Sequence, residues 1–211
     1  MWSGSIRTGL VIAALGVGGC ADDSGGGSSG DDLELDAARD FEGIFEITTW
    51  TENPDGCDGE GEDRLAMANE PYVALVANEV FGFVVLEAMS CVDVADCEAK
   101  AQAFRDEELT ASEYRTSMSE QLGPDELSGF TAWTGFSKDG ICESREYEEH
   151  NLVLDGDALT VTTRVFALED RPEEDGFCVA EPLEMKNEAK GAPCAGATDL
   201  SATRAADLPP P

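Results

Sequence analysis

The chain has 211 residues, with 45 aspartates and glutamates against 13 lysines and arginines, so its formal net charge is −32. Nucleic acids and anionic lipid surfaces are also negatively charged and repel a chain this acidic, which excludes nucleic acid as a partner. The acidic residues lie in short clusters along the chain. This distribution favours a solvated acidic surface over the alternative, weak calcium binding at acidic loops.

The amino-terminal residues predict an export signal that ends in a lipidated cysteine. Arg7 precedes about ten apolar or small residues, a run too short to cross a bilayer as a permanent helix. The ending Val17-Gly18-Gly19-Cys20 resembles the lipobox of bacterial lipoproteins. That resemblance implies that residues 1–19 are a signal peptide and that Cys20 is acylated and becomes the first mature residue. An ordinary signal peptide with an incidental cysteine, or a retained anchor, is the alternative.

Residues 20–32 are expected to form a flexible tether. Their Gly, Ser and Asp content is typical of a coil, which would extend roughly 17–21 Å in root-mean-square terms. By resemblance to the Gram-negative sorting rule, Ala21 favours the outer membrane, with the domain facing the periplasm or the cell surface. The expected contact with the membrane is therefore the lipid anchor.

The remainder is predicted to be one domain at 33–207 with a Pro-rich tail at 208–211. About 175 residues suffice for one hydrophobic core. Six cysteines follow Cys20, an even number that indicates three disulfides in an oxidising compartment. Sequence alone does not choose among the pairings. Proximity along the chain favours Cys91–Cys97 and Cys178–Cys194, which leaves Cys57–Cys142.

Most of the domain is predicted to be β-strand. The segment 41–53 is rich in aromatic and β-branched residues and stops at an Asn-Pro-Asp-Gly turn. Asp-Gly pairs at 139–140 and 155–156 indicate hairpins, since glycine adopts the positive φ of tight turns. A further hairpin turn is expected at Asn78-Glu79. Strands are predicted at about 41–53, 65–77, 82–90, 130–137, 142–154, 158–168 and 198–205.

Two short helices interrupt the strands. Val94, Cys97 and Ala101 recur at helical spacing after Asp93, a suitable N-cap, which predicts a helix at 94–105. A second helix is predicted at 180–190. Residues 110–122 fit either a helix with a capping box or a strand, and the topology favours a strand.

An open sheet of seven strands, or of eight with 112–121, would leave exposed edge strands. An antiparallel up-and-down barrel removes these edges. We therefore predict an all-β barrel with two short helices, in which the first and last strands pair. A two-sheet sandwich is the rival architecture.

Several segments resemble parts of uncharacterised myxobacterial-type envelope lipoproteins. They are FGFVVLEAMSCVDVADC at 81–97, Trp133-Thr134-Gly135, Gly176-Phe177-Cys178 and Ala192-Pro193-Cys194. The resemblance covers about residues 41–205. It implies a lipocalin-like β-barrel with stapling disulfides and no assigned activity.

The sequence predicts no catalytic residues, metal ligands or cofactor. His150, the one histidine, adjoins Glu148 and Glu149 and is expected to be an exposed strand residue. A Ser-His-Asp triad would need it, but no Gly-x-Ser-x-Gly occurs. A metal site is not predicted with one histidine and no Cys-x-x-Cys. Among so many carboxylates, no single pair indicates glycoside hydrolysis. Core packing, with cavity lining as the alternative, is expected of Trp50, Tyr72, Phe83, Trp133 and Phe166.

Three functions remain open at this point. The first is a non-enzymatic envelope lipoprotein with a structural or interaction role, for which an envelope protein is the expected partner. The alternative is a lipocalin-like carrier of a small apolar ligand or lipid, and the third is a hydrolase. An internal cavity would favour the carrier, and buried carboxylates that converge on His150 would favour the hydrolase.

Overall fold

The computed structural model describes residues 31–58, 61–80, 82–108, 110–135, 137–172, 178–179 and 181–210. The predicted signal peptide, Cys20 and the tether up to residue 30 lie outside this part of the chain. The helices are α1 (Leu35–Arg39), α2 (Val94–Arg105), α3 (Pro182–Ala189) and the 3₁₀ turn Leu65–Met67. The strands are β1 (Asp31–Asp32), β2 (Gly43–Asn53), β3 (Glu62–Asp63), β4 (Tyr72–Val80), β5 (Phe83–Cys91), β6 (Arg115–Met118), β7 (Glu120–Gly123), β8 (Glu126–Trp133), β9 (Ser137–Lys138), β10 (Ile141–Cys142), β11 (Arg145–Asp155), β12 (Ala158–Leu168), β13 (Arg171–Pro172) and β14 (Cys194–Ala206).

The long strands form an antiparallel barrel of nine strands that is nearly closed. Their order around the barrel is β6-β5-β4-β2-β14-β12-β11-β8-β7. The all-β barrel is thus confirmed, with nine strands instead of seven or eight, and the sandwich is not formed. As predicted, the first long strand, β2, pairs with the last, β14.

One chain segment, β6 followed by β7, closes the barrel. β6 pairs with β5, whereas β7 pairs with β8 on the other side of the gap. Between them the Ser119 N–H donates to the Ser128 carbonyl at 2.9 Å. β6 passes so close to β8 that a Cβ on Gly129 would overlap the Ser117 carbonyl oxygen and lie 2.9 Å from the Met118 Cα. Only glycine permits this approach without displacing a backbone.

Buried apolar side chains form a cluster in the barrel interior. Every second residue of a strand points into the barrel. Leu127, Leu152 and Val161 occupy such inward positions on the neighbouring strands β8, β11 and β12. Leu33, before α1, and Phe41, after it, belong to the same buried cluster. Helix α1 therefore covers one end of the barrel. Burial of this apolar surface is the main driving force for folding.

Two longer helices cover parts of the outer face. Helix α2 begins at the Asp93 cap, as predicted, and its Cys97 and Ala101 pack on the outer residues of β2, β4 and β5. Helix α3 packs Met185 against Tyr147 of β11. The buried Arg145 guanidinium also donates to both carboxylate oxygens of Glu188 on α3, at 2.8 and 3.0 Å.

Several predicted boundaries were wrong. No turn forms at Asn78-Glu79, because β4 continues to Val80, which pairs with Phe83 of β5. The strand predicted from residue 65 begins only at Tyr72, after a 3₁₀ turn and a loop. The turn Asp139-Gly140 joins β9 to β10 in a small separate sheet with β13, not two barrel strands. In the ambiguous segment 110–122, strand is confirmed from Arg115 on, as two strands, β6 and β7, whereas residues 110–114 are not strand.

Two of the three predicted disulfide pairings were also wrong. Cys91–Cys97 is confirmed, with its Cα atoms 5.2 Å apart. The other pairs are Cys57–Cys194 and Cys142–Cys178, each with a Cα separation of 5.5 Å. Cys194 begins β14, beside the end of β2 that leads to Cys57, so folding brings this distant pair together. Chain proximity could not reveal this pairing, since it spans 137 residues.

The predicted domain ends also shift. Asp31 and Asp32 already pair with β7, within the segment assigned to the tether. At the other terminus, Leu208 packs against the outer cluster beneath α2, and Arg105 donates to the Pro209 carbonyl at 2.8 Å. Residues 208 and 209 of the Pro-rich tail therefore contact the folded domain.

Replacing Gly129 with alanine should destabilise the barrel. The added Cβ forces β6 away from β8 at the closure, at a cost of about 1–3 kcal/mol in the free energy of unfolding. The matched control is Gly123→Ala in β7, where the nearest atom would be the Glu126 Cβ at 3.9 Å. Chemical denaturation of both variants measures the difference, and equal stability would contradict this account of the closure.

Candidate functional site

The two ends of the barrel differ in their connections. At one end, the turn end, β4–β5, β7–β8 and β11–β12 are joined by tight turns. At the other, the loop end, four long connections span residues 54–71, 92–114, 134–144 and 169–193. Functional residues of rigid β scaffolds are commonly carried by such loops. A functional site is therefore expected at the loop end.

All three disulfides lie at the loop end. Cys57–Cys194 joins the first connection to the start of β14, and Cys142–Cys178 joins the third connection to the fourth. Cys91–Cys97 holds α2, in the second connection, to the end of β5. The cross-links thus restrain every long connection. On the chain-entropy model the longest-range bond stabilises the fold by at most about 5 kcal/mol.

A buried ion pair fixes the second connection as well. The Lys100 ammonium of α2 lies 2.6 Å from Glu70 Oε1 and 2.9 Å from the Ser90 carbonyl. The second Glu70 oxygen accepts from the Ser90 hydroxyl and from the Glu113 N–H. Burial would raise the pKa of Glu70, but these donors outweigh it and lower the pKa. The network holds two connections against β5, and its full pairing is typical of a structural role.

A polar layer crosses the barrel interior at the middle of β11 and β12. The two ring nitrogens of His150 lie 3.1 Å from the hydroxyls of Thr163 and Thr131. The Tyr114 hydroxyl lies 3.5 Å from the same Thr163 oxygen, and the Tyr114 ring packs edge-on against Trp50. The layer therefore spans β11, β12 and β8 as well as the residue before β6.

His150 is buried, contrary to the prediction of an exposed strand residue. Its side chain is only 2 % exposed, because it shares the inward face of β11 with Leu152. In the sequence, His150, Leu152 and Leu154 stand at every second position, and this alternation indicated that His150 shares the inward face of the strand. Burial lowers the pKa of His150 to about 4, so the imidazole is neutral at physiological pH.

Glu148 lies at the rim of this layer. One of its carboxylate oxygens is 3.8 Å from His150 Nε2, and a third of its side chain is exposed. Burial raises the pKa of Glu148, and the negative charge of Glu146 on the same strand raises it further. On the neighbouring strand β8, Thr131 lies opposite Glu148, and the exposed Trp133 lies opposite Glu146.

His150 is not arranged as the base of a Ser-His-Asp triad. His150 is oriented by threonine hydroxyls at both nitrogens, and its lowered pKa makes it a weak general base at neutral pH. Thr163 occupies the place of the triad carboxylate that would stabilise an imidazolium. Across the described ranges, no group of three His, Cys, Asp or Glu side chains could hold a metal ion.

The aromatic residues that were predicted to pack in the core divide among three environments. Trp50 lies in the barrel interior. Tyr72 and Phe166 pack on the outer face near α2 and α3, respectively. Phe83 and Trp133 are exposed, so the prediction was wrong for these two.

Comparisons with protein-family models, with curated proteins and with solved structures find no match to this chain. Of the helices in the described ranges, none is both long and apolar enough to span a membrane. The site is therefore interpreted from its own geometry.

The buried His150 should make the fold sensitive to acid. The unfolded chain takes up the proton below about pH 6.5, whereas the folded state does so only near pH 4. More protons are then bound in the unfolded state, so stability is lost as the pH falls through this window, by up to about 3 kcal/mol.

The test compares His150→Gln with the wild type by denaturation from about pH 7 to about pH 4. The variant loses hydrogen bonds to Thr131 or Thr163, so it should be less stable at neutral pH. That deficit should shrink by about 3 kcal/mol in acid, because glutamine has no proton to take up. Glu148, whose pKa is raised, titrates in the opposite sense but is present in both proteins. A deficit that stays constant with pH would show that His150 does not carry the acid sensitivity.

Proposed function

We propose that this protein is a non-enzymatic lipoprotein of the cell envelope whose barrel is a rigid scaffold for protein interaction. The observation that supports the proposal is the buried apolar cluster inside the barrel. Leu75, Leu152 and Leu200 belong to this cluster and are completely buried. Side chains of the protein itself can fill the interior of a barrel of about this size.

The disulfides support an oxidising location outside the cytoplasm. Three cross-links in one domain are typical of exported proteins, in which disulfides persist. An outer-membrane anchor at Cys20 is part of the proposal and rests on the lipobox resemblance and Ala21. The resemblance to myxobacterial-type envelope lipoproteins is consistent with it.

Carriage of a small ligand is the second candidate. The observation that favours it is the polar rim of Glu148, Thr131 and Trp133, where partly exposed polar groups adjoin an exposed indole. A ligand there would be held by hydrogen bonds and by the aromatic face. A wholly apolar ligand or lipid is less well suited, since it would have to displace packed leucines deeper in the barrel.

The anchor is tested by replacing Cys20 with serine, which removes the acylated thiol. We expect the wild-type protein to remain in the membrane fraction after washing with high salt, and the variant to be released in soluble form. A variant that stays with the membrane through the wash would refute the lipid anchor.

The filled barrel is tested by native mass spectrometry of the mature protein purified from its own cells. The scaffold proposal predicts the mass of the acylated chain with three disulfides and no further ligand. Three intact cross-links with a stoichiometric small molecule would favour the carrier. Glu148→Gln should then lower the ligand occupancy, whereas Val153→Ser, on the outer face of the same strand, should not.

A further inference from the structure

The exposed apolar side chains of the described residues are concentrated at the loop end. Three exposed large hydrophobic residues lie elsewhere, on β5, β7 and β11, namely Phe83, Leu122 and Val153. Six lie on the four long connections or at the end of the strand that enters one: Met67, Val92, Trp133, Ile141, Val179 and Leu183. Isolated exposed apolar residues are ordinary, but a grouped set indicates a contact surface.

Part of this set is contiguous around one disulfide. Ile141 and Val179 directly adjoin the bonded Cys142 and Cys178. Ile141 also pairs in register with the exposed Pro172. We call Ile141, Pro172, Val179 and Leu183 the apolar patch.

A second contact holds α3 beside this disulfide. The Arg171 guanidinium donates to the Val179 carbonyl at 3.1 Å and to Glu184 Oε2 at 2.6 Å. Leu183, the most exposed member of the patch at 74 %, is therefore fixed close to Val179. The disulfide and these two hydrogen bonds restrain Ile141, Val179 and Leu183, so a partner would bind them with less loss of conformational entropy.

The residues around the patch are mainly acidic. Exposed carboxylates stand beside it on the same connections: Asp139, Glu169, Asp170, Glu181 and Glu184. Arg145 and Arg171 are already engaged with Glu188 and Glu184. Apolar side chains surrounded by negative charge are complementary to a surface that is apolar and positively charged.

We propose that the loop end docks a basic segment of a partner protein, whose apolar side chains cover the apolar patch. This inference rests on the proposed role as an interaction scaffold and names the surface and the chemistry of the partner. A second copy of the chain is a poor occupant, because two molecules of net charge −32 would bring like charges together. An anionic lipid surface is repelled for the same reason.

The position of the chain ends is consistent with this docking. β1 enters beside β7, next to the tight β7–β8 turn, and is thus at the turn end. Asp31, the first described residue, therefore lies at the opposite end of the barrel from the apolar patch. A membrane anchor attached through Asp31 would leave the apolar patch accessible.

The test uses the mature full-length protein in detergent and a fluorescent peptide of alternating lysine and leucine, with a glutamate-leucine peptide as the comparison. The loop-end variant carries Ile141→Ser, Val179→Ser and Leu183→Ser. The matched control carries Phe83→Ser, Leu122→Ser and Val153→Ser, which are also exposed but lie away from the loop end. Thermal melting and the mass of three intact disulfides verify that both variants are folded.

We expect the wild type to bind the lysine-leucine peptide in about 0.15 M salt and to bind the glutamate-leucine peptide far more weakly. The loop-end variant should bind about tenfold more weakly than the wild type. The control variant should remain within about twofold of it.

Three results would overturn the proposal. Equal binding by the two variants would mean non-specific attraction to the acidic surface. Self-association in sedimentation that the loop-end variant abolishes would identify a second copy as the occupant. Binding to phosphatidylglycerol vesicles through the patch would identify lipid. If instead native mass spectrometry finds a ligand in the barrel, the proposed scaffold function is contradicted. The peptide measurement still decides whether the loop end is a docking surface.

Discussion

The close approach of β6 to β8 is the contact on which the architecture depends. One segment supplies β6 to one side of the sheet and β7 to the other, and the absence of a side chain at Gly129 allows the two sides to meet. Without this contact the sheet would have two free edges, and the residues inside it would face solvent. The interior packing, the polar layer and the position of the loops all follow from closure.

The interior combines two environments with different consequences. Toward the turn end it is apolar and packed, and toward the loop end it contains His150, Tyr114 and threonine hydroxyls that hydrogen-bond to one another. Paired polar groups cost little when buried, and their directional bonds fix one arrangement of the strands. This layer also separates the apolar core from the partly exposed Glu148 at the rim.

Local signals predicted those parts of the fold that depend on neighbouring residues. The Asp93 cap and the spacing of Cys97 and Ala101 gave both ends of α2, and Asp155-Gly156 gave the turn between β11 and β12. The turn at Asp139-Gly140 was also real, but which strands it joins depends on tertiary pairing with β13. Pairing between distant strands is not encoded in local sequence.

The candidate site was less predictable for the same reason. Alternation could place His150 on the inward face, yet it could not reveal that Thr131, Thr163 and Tyr114 lie at the same level of the barrel. The partner of Cys194 depends on the pairing of β14 with β2, two strands from opposite ends of the domain. The exposed apolar residues are grouped because the four long connections share one end of the barrel, which depends on the order of the strands.

The placement of Asp31, the first described residue, at the turn end has a mechanical consequence. A pull applied between Asp31 and the loop end acts roughly along the strands, while the inter-strand hydrogen bonds run across them. Such a load first reaches β1, whose two residues pair with β7, and then α1, before it reaches the barrel strand β2. The segment before β2 would thus give way under tension before the strands of the barrel separate.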